Sequence, residues 1–546
     1  MNVVEATAEI LKVEGIKFLI AFASNPLIEE CAKVGIRPIL CRQERVGVGI
    51  ADGLSRTTNG ESIGVFAMQN GPGAENTFPG AAQAFSDNVP VLFLPGGPPT
   101  DESWGTPYFS SVESYTPVTK WVSQIGSSEQ LQNRMRRAFY QLRTGKPGPV
   151  LLETPHNIFS ENLDSELKYI PVKGNKIAPD PSDVREVAKV LLSAKAPVIH
   201  AGQGCLYAKA SESLVEIAEL LQAPVMTTLA GKSGFPENHP LSLGAASIAT
   251  TKQVVHFIDK ADLVFGVGCS FTSTNYGKKI PSGKIMVHST NSENDINKDY
   301  NADYAVLGDA SLVLDALIDE IKDQTHGEGN RKVRDIASEV QEIKSNWLSE
   351  WMPQLTSEEV PMNQYRIIWD LLQNVDVANT IITHDAGSPR EQIVPFWETV
   401  APRTYIGWGK STQLGHGLGL IMGAKLAEPD KLCINVMGDA AIGMVGMDIE
   451  TAVRNKIGIL TIVFNNGAMA MERPGMTYAT EAYGTVYQGG NYSKLAESLG
   501  ANSVRVQKPD EFIPALRNAT EITKTGQPFL IECIVKENTN YSVYDG

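Results

Sequence analysis

The chain has 546 residues, which at about 150 residues per domain corresponds to three or four domains. Its 42% hydrophobic and 20% charged residues are typical of a folded globular protein, and its formal net charge of −15 has the wrong sign for binding nucleic acid through phosphates. No run approaches the roughly 18 apolar residues of a membrane span. Glu5 and Glu9 lie where a signal peptide would need a basic and then an apolar run. We therefore expect a cytoplasmic protein without nucleic-acid or membrane partners.

From end to end, short β-branched runs alternate with amphipathic stretches, a pattern that predicts an α/β protein with parallel sheets covered by helices. In the first block, VLFLPGG (residues 91–97) and PVLLETP (149–155) are predicted to be buried strands that end in Gly or Pro turns. The six cysteines show no Cys-x-x-Cys pair, so we expect reduced, mostly buried thiols rather than a zinc site or disulfides. We assign residues 1–165 to the first doubly wound domain.

An acidic residue stands where a strand turns into a helix in this block. In PILCRQERVGVGIADGLSR, residues 38–56, Glu44 follows the strand and opens the helix. Taken alone, Glu44 is interpreted as an ordinary acid in a first helical turn, where the helix dipole favours negative charge.

A polar, proline-containing linker is predicted near residues 160–182, followed by a second α/β domain over 182–326. This domain opens with KAPVIHAGQG, in which Gly202 and Gly204 are followed by Tyr207 where a dinucleotide fingerprint needs Gly. A lone Gly-x-Gly is more often a turn, so a nucleotide here stays open.

A charged helical connector is predicted over residues 327–358, and the third domain over 359–546. Within it, residues 431–467 form a strand, a helix and a second strand, which must be a parallel crossover. Asp439 at the end of the first strand and Asn466 at the end of the second are therefore expected to lie close together.

A carboxylate, an amide oxygen and loop carbonyls are hard oxygen ligands suited to Mg²⁺, which completes its shell with water and substrate phosphates. We expect the neighbouring glycines and a helix N-terminus after Gly446 to offer N–H groups to anionic oxygens. Either dipeptide alone, Gly438-Asp439 or Asn465-Asn466, would usually be a strand-ending turn. Together they predict a diphosphate bridged to the protein by Mg²⁺.

This block resembles the motif of thiamine diphosphate (ThDP)-dependent enzymes, in which Gly-Asp-Gly is followed by Asn-Asn. The resemblance implies that Asp439, Asn466 and the backbone carbonyl of Ala468 bind Mg²⁺. It also implies that the cofactor lies against the start of the motif. Ala440 stands where the motif has its second Gly, which perturbs the turn slightly but removes no metal ligand. The implied cofactor contacts here are Gly438, Asp439, Ala440 and Ala441.

The resemblance extends over almost the whole chain. The helix of residues 44–56 is similar to the family's Glu-containing helix, so Glu44 is implied to drive tautomerisation of the cofactor's aminopyrimidine from an apolar pocket. QNGPGAENTFPG resembles the pyrimidine-binding segment and contains Asn70. GKSTQLGHGLGLIMGAKLA resembles the segment that keeps the cofactor bent, with Gln413 followed by Leu414 as the wedge between the two rings.

The resemblance implies a pyrimidine-binding, a central Rossmann-like and a diphosphate- and Mg²⁺-binding domain, in that order. In this family the pyrimidine-binding domain of one subunit faces the diphosphate-binding domain of another. We therefore expect a homodimer at least, with Glu44 and Asp439 meeting between subunits, and a homotetramer is common in the family. The central domain of relatives binds FAD, ADP or nothing, and all three stay open here.

The family chemistry proceeds through a thiazolium ylide that attacks a carbonyl and stores the electron pair as an enamine. We predict a lyase or transferase similar to acetolactate synthase, a 2-oxo acid decarboxylase and carboligase. Two stretches depart from acetolactate synthases. PYFSSVESYTPVTKW lacks their Phe-Gln-Glu segment, and NNGAMAMERPGM replaces their Met-Val-x-Gln-Trp stretch. The adjacent His pair of pyruvate decarboxylases is also absent.

The small-molecule substrate is expected to be a 2-oxo acid or an acyl-CoA. Met471, Glu481 and Tyr483 are candidate contacts within a cover formed by residues 467–492, and Gln69, Asn70 and Tyr108 are candidates on the opposite side. The alternatives are a 2-hydroxyacyl-CoA lyase or oxalyl-CoA decarboxylase-like enzyme, a non-catalytic scaffold or regulatory paralogue, and a nicotinamide dehydrogenase. The incomplete glycine fingerprint weakens the last of these.

Overall fold

Three six-stranded sheets, built from parallel strands, form the framework of the protein. The computed structural model describes residues 1–103, 109–330 and 335–544. The sheets follow one another along the sequence and are flanked by helices. The predicted α/β class with three doubly wound parallel sheets is confirmed.

The N-terminal and C-terminal sheets share one topology. The N-terminal sheet has the order β2-β1-β3-β4-β6-β5, and its strands are β1 Phe18–Ala21, β2 Arg37–Leu40, β3 Gly64–Met68, β4 Val91–Gly97, β5 Trp121–Gln124 and β6 Val150–Pro155. The six strands between it and the C-terminal sheet, β7 to β12, make the central sheet. The C-terminal sheet has the order β14-β13-β15-β16-β18-β17, and its strands are β13 Thr380–His384, β14 Tyr405–Ile406, β15 Leu432–Gly438, β16 Leu460–Asn465, β17 Asn502–Val506 and β18 Phe529–Ile534.

The central sheet has the order β12-β11-β10-β7-β8-β9, in which the chain reverses direction between β7 and β10, as in Rossmann folds. Its strands are β7 Pro197–Ala201, β8 Val225–Thr227, β9 Ser242–Ala245, β10 Leu263–Val267, β11 Ile285–Thr290 and β12 Tyr304–Leu307.

The α-helices lie in the connections between these strands. Those of the N-terminal block are α1 Val3–Val13, α2 Leu27–Lys33, α3 Glu44–Thr57, α4 Pro72–Ser86, α5 Ser111–Tyr115, α6 Leu131–Arg143 and α7 His156–Phe159. The central block has α8 Pro181–Ser193, α9 Gln203–Tyr207, α10 Ser211–Leu221, α11 Lys252–Lys260 and α12 Ala310–Thr325, followed by α13 Ile336–Leu355. The C-terminal block has α14 Gln364–Asn374, α15 Ser388–Ile393, α16 His416–Ala427, α17 Asp439–Val445, α18 Ile449–Asn455, α19 Thr477–Tyr483, α20 Tyr492–Ser498 and α21 Pro509–Lys524.

The predicted linkers differ in structure. Residues 163–180 contain no helix or strand before α8 begins. In contrast, α13 lies in the stretch interpreted as a connector and buries Trp347 and Trp351 among Tyr365, Phe396 and other core residues of the C-terminal block. This helix is therefore part of the packed core of the C-terminal block and is not a flexible linker.

Helices α3 and α16 make an unusually close contact between the N-terminal and C-terminal blocks. A Cβ atom on Gly53 would lie 2.0 Å from the carbonyl oxygen of Leu420, and one on Gly419 would lie 2.3 Å from that of Val46. Only glycine permits such backbone approach. Because the first turns of the two helices lie at the same end of this contact, the residues that open them are brought together.

The six cysteines are free and buried, in agreement with the prediction of buried thiols. Across the three described ranges, no helix is both long enough and apolar enough to cross a membrane.

Candidate active site

The structure brings Asp439 into direct contact with the loop that follows β16. Strands β15 and β16 pair in parallel, with Gly438 opposite Phe464. The Oδ2 of Asp439 accepts hydrogen bonds from the backbone N–H of Asn466 at 3.1 Å and of Gly467 at 2.7 Å. Its Oδ1 accepts from the N–H of Ala440 at 2.7 Å. The Asp439 carboxylate thus holds the end of β15 next to the loop that follows β16.

The oxygen atoms of this loop form a compact donor set for a hard cation. Asp439 is 4% exposed, and burial raises its pKa while the surrounding N–H groups lower it. The Oδ1 of Asn466 accepts from the N–H of Ala468 at 2.9 Å, which folds the loop back towards Asp439. The Oδ1 of Asp439 and the Oδ1 of Asn466 each accept one of the bonds described and keep a second lone pair. The set therefore fits a cation such as Mg²⁺.

The helix predicted after Gly446 is present, but it is preceded by one that was not predicted. Helix α17 begins at Asp439, directly after β15, and Gly446 opens a short 3₁₀ turn, Gly446–Asp448, that leads into α18. An acid in the first turn is favoured by the helix dipole, so Asp439 itself starts the helix. Ala440 lies in regular helical backbone without a positive φ. The alanine in place of the motif glycine therefore causes no strain.

Glu44 is the first residue of α3 and is 5% exposed. Burial raises the pKa of the Cys41 thiol and of the Tyr115 hydroxyl, and the charge of Glu44 raises both further. The Tyr115 hydroxyl donates to the carbonyl of Ala74 at 2.6 Å, which fixes its position. Glu44 is thus buried at the N-terminus of α3.

Leu414 and Gln413 precede α16 at the same end of the α3–α16 contact. The Nη2 of Arg45 donates to the carbonyl oxygen of Leu414 at 2.8 Å, which links the residue after Glu44 to the Leu414 turn. The side-chain amide of Gln413 is buried, and neither its oxygen nor its nitrogen finds a partner among the described residues. An unpaired buried amide is costly, and a polar group of a bound ligand would relieve that cost.

Asp385, at the end of β13, was not identified from the sequence. Its carboxylate accepts from the N–H of Gly415 at 2.8 Å and of Gly417 at 3.0 Å, so it fixes the turn that carries Leu414. Burial raises its pKa to about 6. The available signal was its place directly after a buried strand, the same position that Asp439 holds in its own strand.

The N-terminal and C-terminal blocks also meet beside Glu44 within one chain. The Oδ1 of Asp448 accepts from the backbone N–H of Arg42 at 2.8 Å, and the Arg42 guanidinium lies 3.1 Å from Glu450. The predicted meeting of Glu44 with the Asp439 of another subunit involves a second chain and stays a prediction.

Two of the candidate substrate residues lie at the carboxyl end of the N-terminal sheet. Gln69 and Asn70 follow β3 and are half-buried. Asn25, which the sequence analysis missed, donates from Nδ2 to the carbonyls of Met68 and Leu94 at 3.0 Å each and ties these strand ends together. The turn sequence Ser24-Asn25-Pro26, shortly after β1, was the available signal. Tyr108 lies outside the described residues.

The segment of residues 467–492 folds over the end of the C-terminal sheet. Its ends pair through hydrogen bonds from the N–H of Met469 to the carbonyl of Val486 and from that of Gln488 to Gly467, each at 2.9 Å. The sulfur of Met471 lies 3.9 Å from the Cβ position of Gly387, next to α15. Glu481 and Tyr483 are exposed on α19, and Met471 is also partly exposed, at 37%, despite its contact beside Gly387.

A cavity of about 320 Å³ lies beside the central block, and residues of all three blocks line it. Gly204 borders it, but Gly202 and Gly204 both have a packing role. The N–H of Gly204 donates to the carbonyl of Gly268 at 2.8 Å, and a Cβ atom on Gly202 would lie 2.3 Å from the same oxygen. Packing therefore explains both glycines, and they provide no argument for a nucleotide.

Three family profiles match successive parts of the chain. The profile described as thiamine pyrophosphate enzyme, N-terminal TPP binding domain, matches residues 1–114. The central-domain profile of the same enzymes matches residues 184–317, and the profile of their C-terminal TPP binding domain matches residues 385–533. Thiamine pyrophosphate is another name for ThDP.

Several named relatives align over nearly the full length. The chain is 30% identical to a protein named probable acetolactate synthase large subunit from Methanocaldococcus jannaschii, over 98% of this chain and 92% of that protein. A protein of the same name from Methanococcus aeolicus is 29% identical, over 100% of this chain and 93% of that protein. The acetolactate synthase isozyme 3 large subunit of Escherichia coli is 26% identical, over 92% and 88%.

Proposed function

We propose that this chain, which belongs to the thiamine diphosphate-dependent enzymes of the acetolactate synthase type, decarboxylates a 2-oxo acid and joins the retained fragment to a second carbonyl compound. The observation that carries the proposal is the contact between the Asp439 carboxylate and the Asn466–Ala468 loop. That contact supports the proposal because it brings the Asp439 carboxylate next to the Asn466–Ala468 loop in a chain that matches all three domain profiles.

The proposed cofactor set is ThDP with Mg²⁺. Asp439, Asn466 and the carbonyl of Ala468 would hold the metal, and the backbone of Gly438, Ala440 and Ala441 would face the diphosphate. Leu414 would support the bend between the rings, with Gln413 beside it. When bound, the cofactor supplies an electron sink for breaking a carbon–carbon bond next to a carbonyl.

Glu44 is proposed to hold a proton at N1′ of the pyrimidine. Its place at the start of α3 is rigid, because α3 packs on α16 through backbone contact and Arg45 is bonded to Leu414. A fixed carboxyl group keeps the distance to the pyrimidine constant, which general acid–base catalysis requires. The active site is proposed to form in a homodimer or homotetramer of this 59.2 kDa chain.

The amides of Gln69 and Asn70 are proposed to orient the substrate. They follow the carboxyl end of β3, which Asn25 links to β4 through its bonds to Met68 and Leu94. Met471 would close the site from the opposite side. We propose a 2-oxo acid as donor because the relatives that align over nearly the full length of this chain are named acetolactate synthases. The acyl-CoA alternatives have no comparable support.

The test is product analysis with defined substrates. The purified full chain, supplied with ThDP and Mg²⁺, is incubated with a panel of 2-oxo acids and, separately, with acyl-CoA thioesters, and the products are identified by mass spectrometry. We expect CO₂ and a 2-hydroxy-3-oxo acid from the first panel only. Release of formyl-CoA or an aldehyde from a thioester, without turnover of any 2-oxo acid, would refute the proposal. Glu44→Gln is the control for background decarboxylation.

A further inference from the structure

A fully buried carboxyl group lies next to residues 465–468, the loop proposed to bind the metal and called the metal loop. Glu532 is in β18 and is 0% exposed, and the register places it opposite Val463 of β16, two residues before Asn465. No lysine, arginine or histidine of the described ranges forms an ion pair with it. Burying a carboxyl group without a cation is costly, so its retention requires specific hydrogen bonds.

Both oxygens of Glu532 accept hydrogen bonds, and the two bonds lead to opposite ends of the cover segment. The Oε1 accepts from Nδ2 of Asn465 at 2.7 Å, at the start of the metal loop. The Oε2 accepts from the backbone N–H of Ser493 at 3.0 Å, just after the cover ends. One side chain therefore fixes the two points between which residues 467–492 extend.

Asn465 transmits this restraint to the metal loop. Its Oδ1 accepts from the N–H of Gly467 at 3.1 Å, and its Nδ2 also donates to the carbonyl of Gly490 at 3.3 Å. Gly467 has a positive φ of 69° and is bonded to Asp439 as well. The Glu532–Asn465 pair thus sets the backbone on which Asn466 and Ala468 present their oxygens.

We infer that Glu532 is a positioning residue for the metal loop, acting through Asn465 rather than by touching metal or substrate. This inference rests on the proposed function, since it concerns the affinity of the loop for Mg²⁺ in the presence of ThDP. Groups that orient metal ligands typically contribute a factor of about 10 to 100 to metal affinity.

The test is a calorimetric titration of the full chain with Mg²⁺ at saturating ThDP. In Glu532→Gln, the introduced amide must direct its NH₂ group at one of two N–H donors, so we expect about a 10- to 100-fold loss of Mg²⁺ affinity. At saturating Mg²⁺ we expect most of kcat to return. Mg²⁺ affinity equal to that of the wild type would overturn the inference.

The matched control is Glu153→Gln. Glu153 is the buried carboxyl group of β6, the strand of the N-terminal sheet that corresponds to β18, and it accepts bonds from Ser111 and Gln124 without any link to the metal loop. We expect this variant to lose thermal stability without losing Mg²⁺ affinity. An equal loss of affinity in both variants would show a general structural effect and would overturn the inference.

A rescue variant separates positioning from folding. Adding Asn465→Asp to Glu532→Gln reverses the direction of the bond, since the new amide then donates to the new carboxylate and can still accept from Ser493, although the aspartate can no longer donate to the carbonyl of Gly490. We expect the double variant to bind Mg²⁺ more tightly than Glu532→Gln alone, and no gain in affinity would contradict the inference. If Glu532→Gln does not fold, Asn465→Ala breaks the same bond from the other side and carries the same expectations. Absence of Mg²⁺-dependent ThDP binding in the wild type would instead refute the proposed cofactor.

Discussion

The contact between α3 and α16 makes Gly53 a sensitive position far from any reacting atom. In Gly53→Ala, the new Cβ would lie 2.0 Å from the carbonyl oxygen of Leu420 and 3.1 Å from the backbone nitrogen of Ala424. Close carbon–oxygen contacts in proteins lie at about 3.3–3.6 Å, so the helices must separate by more than about 1 Å. Both obstructing atoms are backbone, and no rotamer change can relieve the clash.

This separation has two measurable consequences. Overpacking of this kind costs about 1–3 kcal/mol, which corresponds to about 2–4 °C in Tm for each kcal/mol in a domain of this size. It also moves Glu44 and the Leu414 turn from the positions in which each is proposed to contact a cofactor, whether that of its own chain or of a partner subunit, and a misplacement of about 1 Å can lower a rate about 100-fold. We therefore expect a modest loss of stability and a large loss of kcat.

The assay compares thermal unfolding and steady-state kinetics of Gly53→Ala with those of Gly126→Ala. Gly126 lies in an exposed loop, and its Cβ would meet only Gln130 at ordinary contact distance, 3.5 Å. We expect this control to match the wild type in both assays. A Gly53→Ala enzyme with wild-type kcat would refute the argument that the helix contact sets the site geometry.

Three further predictions concern Glu44, the pair Asp385 and Asp448, and Lys232. Glu44→Gln should keep Mg²⁺-dependent ThDP binding but retain less than about a tenth of wild-type turnover, as steady-state rates will show. Burial raises the pKa of both Asp385 and Asp448 to about 6 from 3.8, so the folded state binds more protons than the unfolded state between these values. The contribution of each group to stability is therefore greatest below about pH 4 and falls by about 3 kcal/mol as the pH rises through 6. Denaturant titrations across this pH range should show that the free energy of unfolding depends less on pH in the double variant Asp385→Asn/Asp448→Asn than in the wild type. Lys232→Met should cost about 3–5 kcal/mol of unfolding free energy because it leaves Glu237, now 2.5 Å from the Lys232 ammonium, buried without its partner. Adding Glu237→Gln should restore much of that loss in the same denaturation assay.

The sequence was sufficient where chemistry follows from local topology. Asp439 and Asn466 end adjacent strands of one crossover, and a parallel crossover allows no other arrangement of those ends. The same reasoning missed helix α17, which Asp439 opens, because a helix was expected only after Gly446, where a 3₁₀ turn leads into α18.

Residues that depend on distant partners could not be predicted in this way. Glu532 binds Asn465 across 67 positions, and Asp385 binds Gly415 across 30. The glycines at positions 49 and 53 and those at 419 and 423 share a spacing of four that indicates a close helix contact. That spacing does not show which two helices meet, and only the packed structure pairs α3 with α16.

The central claim is that Glu44, Leu414 and the Asp439–Asn466 loop surround one ThDP molecule. The most direct measurement is a crystal structure of the full chain grown with ThDP and Mg²⁺. We expect the metal bonded to Asp439, Asn466 and the carbonyl of Ala468, with a Glu44 carboxyl group within hydrogen-bond distance of N1′. A cofactor bound elsewhere, or one whose pyrimidine meets no Glu44 from either its own chain or a partner subunit, would contradict the claim.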